Sequence, residues 1–223
     1  WTDDGPLYGP GLGERAQAYL RSTRVLMEHL GWPDIEPGLD FVRIAADPRM
    51  TVRTQKTHVA YTRSPDGRAR IYINGQEAAS AEVGGDLSAW DAGMRLGLAD
   101  EFVGERAWLG IYHGVAVYSR ALGASEIADH SAAGEPKHLK GVQARYAFEA
   151  GKGQVVRDVA GQKPALDLHI DDTGAVKWRD DGLKVHRPAL IATKAPAKRL
   201  TQAVRKSNAF TLEAWITPAQ KIQ

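Results

Sequence analysis

Residues 58–81 read HVAYTRSPDGRARIYINGQEAASA, and this stretch predicts three antiparallel strands joined by two tight turns. In the first turn, Pro65 presets φ at the second position and Gly67 tolerates a positive φ. In the second turn, Asn74-Gly75 is the strongest two-residue hairpin signal. The predicted strands are His58–Arg63, Ala69–Ile73 and Gln76–Ala81.

Short strand candidates recur elsewhere in the chain and are separated by turn residues. They are Phe41–Ile44, Thr51–Thr54, Arg95–Ala99, Trp108–Tyr118, Ala144–Phe148, Val155–Val159, Ala165–Ile170 and Phe210–Ile216. Many short strands with turns between them are typical of an antiparallel sandwich or barrel, not of a doubly wound α/β fold. We therefore predict a mostly β fold, an antiparallel β-sandwich.

Helices are few in this pattern. Apolar residues at i, i+3, i+4 and i+7 predict one longer helix over residues 14–30, which Gly31 and Pro33 then end. Shorter helices are expected at Ser125–Ala133 and Ala197–Lys206. Between them, residues 135–141 are polar and bounded by Gly and Pro, which predicts a linker.

Composition excludes several classes of function. The chain has 223 residues, a formal net charge of +2, 43% hydrophobic residues and no cysteine. Disulfide frameworks, thiol nucleophiles and cysteine-ligated metals are therefore excluded. A net charge this small argues against a dedicated nucleic-acid binder. No apolar run approaches the ~20 residues that a membrane-spanning helix needs.

Motifs for catalysis and cofactor binding are weak. Residues 11–16, GLGERA, fit a dinucleotide fingerprint, but the preceding residues 3–10 are polar and contain two prolines instead of forming a buried strand. The seven histidines are scattered, and no E-x-D-x-E arrangement aligns carboxylates for glycan cleavage. We therefore predict no catalytic residues, and a glycan-cleaving enzyme is the least favoured alternative.

Three further features carry binding hypotheses. The acidic turn 171–174 could supply oxygen ligands to calcium, although a solvated turn explains it better. Residues 183–212 contain seven Lys or Arg and no acid, which would attract a polyanion, or would simply form the solvated face of a helix. Trp90 lies in a polar loop and is the best candidate for an exposed aromatic ring that stacks on a sugar.

The chain between residues 54 and 134 resembles the C-terminal half of a laminin G-like (LamG-like), concanavalin A-type jelly-roll module. The similar segments are 58–63 HVAYTR, 68–77 RARIYINGQE, 84–90 GGDLSAW, 95–101 RLGLADE, 108–110 WLG, 115–122 VAVYSRAL and 125–127 SEI. Their order along the chain follows the order in such modules. In residues 1–53, including the predicted helix 14–30, we recognise no segment of the module, and we leave them unassigned.

Residues 142–223 are similar to the opening half of the same module. The similar segments are 144–149 ARYAFE, 156–161 VRDVAG and 210–218 FTLEAWITP. The segment that resembles the C-terminal half of the module therefore comes before the segment that resembles its N-terminal half. Three explanations remain open: the end of one module joined to the start of the next, a circular permutation that completes one sandwich, or partial modules that complete each other between chains. We favour completion within one chain.

The resemblance implies recognition of a ligand rather than catalysis. Rim loops of such modules bind polysaccharides, glycoproteins or other protein modules, sometimes with calcium, usually within larger extracellular, periplasmic or cell-surface proteins. On this basis we expect Trp90 to stack on a sugar. We expect Asp86, Asp91, Asp100 and Glu101 to bind its hydroxyl groups or a calcium ion. A structural or protein-interaction module is the alternative.

Overall fold

The structure is a computed structural model that describes residues 55–100, 102 and 107–219. The predicted helix 14–30, the predicted strands 41–44 and 51–54, and Glu101 lie outside these residues. Within them the chain forms twelve strands, two α-helices and one short 3-10 turn. The predicted meander at 58–81 is present almost residue for residue.

The elements follow one another in this order: β1 Thr57–Arg63, β2 Arg68–Ile73, β3 Gln76–Glu82, β4 Gly97–Leu98, β5 Gly110–Tyr118, α1 Ala124–Ala133, β6 Val142–Tyr146, β7 Val155–Val156, β8 Leu168–Ile170, the 3-10 turn Thr173–Ala175, β9 Val176–Arg179, β10 Gly182–Val185, β11 Ile191–Thr193, α2 Lys198–Ser207 and β12 Phe210–Pro218. Both predicted short helices are confirmed to within a residue or two. Strands β9, β10 and β11 were not predicted.

Two antiparallel sheets contain these strands. The larger sheet has the order β3-β2-β1-β12-β5-β10-β9. Two strands pair with β5 besides β12: β10 pairs with residues 110–112 and β6 pairs with residues 115–118. The smaller sheet has the order β4-β11-β8-β7. This arrangement confirms the predicted mostly β, antiparallel sandwich.

Strands from both sides of the 135–141 connection pair within the larger sheet. β12 lies between β1 and β5: Tyr61 pairs with Leu212, and Val117 pairs with the same Leu212 from the other side. β6 pairs with β5, so that Ala116 faces Arg145. The two stretches that resemble opposite halves of a module therefore share one sheet in one chain. The proposed division of the chain into segments at these positions stays a prediction.

The main hydrophobic core lies between the two sheets. Strand alternation directs one side chain in two inward, as with Val115 and Val117 on β5 and Leu168 and Ile170 on β8. A smaller core lies on the opposite face of the larger sheet, where Ile127 of α1 is completely buried. The larger sheet is thus covered on both faces along its centre.

The turn between β9 and β10 depends on one glycine. Gly182 has a φ of 150°, and a Cβ at this position would collide with the carbonyl group of Tyr112. The absence of a side chain lets β10 approach β5 and pair Leu183 with Tyr112. This close approach extends the larger sheet to β9 at its edge.

A buried carboxylate joins four elements beneath α1. Glu213 of β12 is fully buried and lies 3.2 Å from Nε2 of His58 on β1. Nδ1 of His130 on α1 lies 3.0 Å from the carboxylate, and the hydroxyl of Tyr118 on β5 donates to it at 3.0 Å. Nε2 of His130 accepts a hydrogen bond from the backbone N–H of His138, so Nδ1 is the donor to Glu213.

These donors stabilise the ionised carboxylate. Burial raises the pKa of Glu213, but the hydrogen bonds from His130 and His58 outweigh it and leave the pKa below its usual value. A carboxylate without donors would be strongly disfavoured at this depth. The cluster therefore stabilises the packing of α1 on the sheet only while Glu213 is ionised.

Cysteines at positions 61 and 212 test the pairing of β1 with β12. Because Tyr61 and Leu212 are directly opposed, and the chain has no cysteine of its own, a short bismaleimide should link the two new thiols within one chain. We expect a faster-migrating monomer in denaturing electrophoresis, and no intrachain link in either single-cysteine variant. A covalent dimer as the main product would show that the strands are exchanged between chains.

Replacing Glu213 with Gln tests the buried carboxylate. A depressed folded-state pKa stabilises the protein above the unfolded-state pKa of about 4.3, and this stabilisation is lost as the pH falls through the folded-state pKa. We expect Glu213→Gln to lower the free energy of unfolding by about 2 kcal/mol at pH 7 and to flatten its pH dependence below about pH 4.3.

Urea unfolding from pH 3 to 8 measures both effects. The matched control is Glu82→Gln, which removes an exposed carboxylate paired with Arg68 and should change the free energy by less than about 1 kcal/mol. If the free energy of unfolding depended on pH equally in the parent protein and in Glu213→Gln, the lowered pKa of Glu213 would be contradicted.

Candidate functional site

An aromatic residue at the edge of the larger sheet forms the centre of the candidate site. In the edge strand β9, Val176 pairs with Val185 and Trp178 pairs with Leu183. Val185 and Leu183 are completely buried, whereas Trp178 and Val176 are only half-buried. Trp178 therefore lies on the inward face of the sheet, at the point where the core meets solvent.

A hydrogen bond fixes the orientation of this ring. The indole Nε1 of Trp178 donates to the carbonyl oxygen of Gly153 at 2.9 Å. Gly153 lies just before β7, an edge strand of the smaller sheet, so this bond joins the edges of the two sheets. The indole N–H is satisfied without a ligand, and the half-buried ring packs against the main core while part of its surface borders the cleft.

A shallow open cleft surrounds the indole. Its volume is about 450 Å³, and it is lined by Gly153, Gln154, Thr173, Val176 and Trp178. Clefts of roughly 300–1,000 Å³ are usual for small ligands. The side chains of Gln154 and Thr173 are exposed and make no hydrogen bond within the described residues. The cleft thus combines an apolar floor with amide and hydroxyl groups, and among the residues that the structure describes no charged side chain lines it.

The acidic turn beside the cleft is held by backbone amides. Asp171 accepts hydrogen bonds from the N–H of Leu190 and of Asp172, and Asp172 accepts one from the N–H of Gly174 at 2.8 Å. The Arg187 guanidinium donates to the Gly174 carbonyl at 2.7 Å and lies 3.8 Å from Asp172. These contacts order the loop that carries Thr173.

These contacts also bear on the calcium hypothesis. Each of the two carboxylates accepts backbone hydrogen bonds, and an arginine lies beside one of them. Within the described ranges, no three His, Asp or Glu side chains are grouped as metal ligands. Calcium binding at residues 171–174 stays a prediction.

The predicted aromatic ligand, Trp90, lies in the loop between β3 and β4. Its ring is half-buried and packs on Phe210, with 5.2 Å between ring centroids. The indole Nε1 is buried without a hydrogen-bond partner. The indole therefore packs against the edge of the main core, and its N–H is not presented to solvent.

The predicted acidic ligands have separate local roles. Asp86 accepts a hydrogen bond from the N–H of Ser88 at 2.8 Å, and Asp91 accepts one from the N–H of Gly93 at 2.6 Å. The hydrogen bonds from Ser88 lower the pKa of Asp86. Both carboxylates are exposed, whereas Asp100 is half-buried. The structure does not gather these residues around the cleft, whose lining contains none of them.

Trp178 was not among the site residues predicted from the sequence. Val176 and Trp178 alternate with Lys177 and Arg179, a period of two that is the usual signal of a half-buried strand. A tryptophan in such a short polar strand is a candidate for exposure at a sheet edge. Its proximity to residues 153 and 154 depends on the packing of the two sheets.

Two antiparallel sheets packed face to face, with a helix on the outer face, define the class of fold as an antiparallel β-sandwich, consistent with a jelly roll. Residues 38–128 match the family described as the concanavalin A-like lectin/glucanases superfamily, in its laminin G-like branch. The match covers about two fifths of the chain, so this part of the chain is similar to that superfamily.

The superfamily includes both lectins and glycan-cleaving enzymes. Neither a curated protein nor a solved structure matches the chain significantly. None of the helices formed by the described residues has the length and apolar character to cross a bilayer.

Replacing Trp90 with Ala tests whether this residue serves packing or binding. Loss of the contact with Phe210 should lower the free energy of unfolding by about 2 kcal/mol, with a smaller loss for Trp90→Phe. Chemical unfolding followed by circular dichroism measures the change. Unchanged stability combined with lost glycan binding would instead support the predicted role of Trp90 as a sugar platform.

Proposed function

We propose that the protein recognises carbohydrate without cleaving it, and that the Trp178 cleft is the binding site. The observation that carries this proposal is the half-exposed indole of Trp178, oriented by its hydrogen bond to Gly153 at the open edge of the sandwich. The superfamily match supports carbohydrate as the class of ligand.

The chemistry of the cleft fits a sugar ring. The aliphatic face of a pyranose is flat and apolar, and it packs on an aromatic ring as other apolar surfaces do. Its hydroxyl groups need donors and acceptors, which the Gln154 amide and the Thr173 hydroxyl provide at the rim. Because the ring is already fixed, binding costs little side-chain entropy.

Cleavage would require a different set of groups. Glycoside hydrolysis uses two carboxyl groups about 5–9.5 Å apart, on either side of the scissile bond. The part of the cleft lining that the structure describes contains no carboxylate, and the buried Glu213 is enclosed by His58, His130 and Tyr118. We therefore propose binding without cleavage. From the resemblance to laminin G-like modules, we also propose that the chain belongs to a larger protein that acts outside the cytoplasm.

Replacing Trp178 with Ala tests the proposal. The variant should lose about tenfold in affinity for the glycan that the parent protein binds, which corresponds to about 1.4 kcal/mol. Trp178→Phe keeps an aromatic face and should retain more affinity than Trp178→Ala. Lys177→Ala, on the opposite face of β9, is the matched control and should bind as the parent does.

Affinity electrophoresis in gels that contain neutral β-glucans, mannans, xylans or galactans measures the binding, with calcium and with a chelator. Circular dichroism confirms that each variant is folded. The absence of retention by the parent protein on every glycan, or equal retention of the parent and Trp178→Ala, would contradict the proposal.

A further inference from the structure

Helix α2 presents a solvent face with basic residues and no acid. Its buried side is formed by Leu200, Thr201 and Val204. The exposed side chains are Lys198, Gln202, Arg205 and Lys206. At 1.5 Å per residue, Lys198 and Lys206 are about 12 Å apart along the axis. Lys194, four residues before α2, is also exposed and is the fourth basic residue of this face.

The fold uses two other cations of the same segment. Arg199 donates to the Gln143 side chain at 3.1 Å and lies 3.5 Å from the buried Asp158. Arg187 binds the turn beside the cleft. By contrast, Lys194, Lys198, Arg205 and Lys206 form no ion pair with any residue that the structure describes. The solvent face therefore keeps its charge uncompensated.

The position of Lys198 is unfavourable for the helix itself. A helix N-terminus carries a partial positive charge and favours acidic side chains, whereas basic side chains favour the C-terminus. Arg205 and Lys206 lie in the last turn, where they stabilise α2, but the first turn has no acid and no side-chain cap. The helix dipole thus accounts for Arg205 and Lys206 but not for Lys198. A residue that breaks a local rule without local compensation is a candidate for function.

We propose that the basic face of α2 binds an acidic polysaccharide, through the carboxylates or sulfates that such a polymer repeats along its length. An extended anion can contact Lys198 and Lys206 together, and it relieves the repulsion between them. This site is independent of the Trp178 cleft, whose lining is uncharged.

Two other polyanions fit less well. Single-stranded nucleic acid is usually held by aromatic side chains interleaved with the cations, and α2 has none. A helix that binds membranes presents an apolar face to the lipid, but the apolar residues of α2, Leu200 and Val204, are buried in the core. An acidic polysaccharide requires only the array of charges.

The double variant Lys198→Gln and Lys206→Gln tests the proposal, because Gln keeps the helix propensity of Lys. In 50 mM NaCl its affinity for polygalacturonate or for a sulfated galactan should fall by about fivefold or more, and the affinity of the parent should weaken sharply by 300 mM NaCl. The matched control is Lys140→Gln with Lys163→Gln, the same loss of charge at exposed positions outside α2.

The outcomes separate the alternatives. Binding of either polymer, with a loss specific to the α2 variant, supports the proposal. Equal losses in both double variants would show an effect of net charge and overturn it. The proposal would also be overturned if the parent protein bound neither polymer, or bound fully methyl-esterified polygalacturonate as tightly as polygalacturonate. A preference of the parent protein for duplex DNA or for phosphatidylserine vesicles would overturn it as well. Trp178→Ala should bind the acidic polymers as the parent protein does. A failure of the proposal for α2 can therefore be distinguished from a failure of the proposal for the Trp178 cleft.

Discussion

The structure depends on the placement of β12 between β1 and β5. This strand comes last among the described elements, yet it hydrogen-bonds along its length to strands that precede the connection at 135–141. Without β12 the sheet would divide into the β1–β3 meander and the β5 group, each with an open edge. Both cores use this arrangement, because β12 contributes Phe210 to one face and Glu213 to the other.

On the outer face, a polar cluster joins the larger sheet to α1 beside the smaller hydrophobic core. Glu213 accepts hydrogen bonds from two other strands and from α1, so the position of α1 depends on the register of β12. A slip of one residue would direct Glu213 into the main core. The buried carboxylate of Glu213 therefore favours this one register of β12, although removing the charged group from water costs free energy.

The two proposed binding surfaces arise where the sandwich ends. At β9 the sheet stops before the core is fully closed, which leaves Trp178 half-covered and oriented by Gly153. At α2 the apolar side closes the main core, and the opposite side carries uncompensated cations. One surface suits uncharged rings and the other suits anionic groups.

The sequence by itself determined the β-sandwich class, the 58–81 meander and both short helices, because turn residues and apolar periodicity are local properties. Strands β9, β10 and β11 were missed because their periodic pattern extends over only three or four residues. The similarly short β4, β7 and β8 lie within the longer patterns at 95–99, 155–159 and 165–170. Trp90 and Trp178 show the limit most clearly. Both tryptophans lie among polar residues in the sequence, yet one packs on Phe210 and the other borders a cleft. Only the tertiary structure decided between them, because exposure depends on which distant strands cover a ring, and local sequence does not encode that pairing.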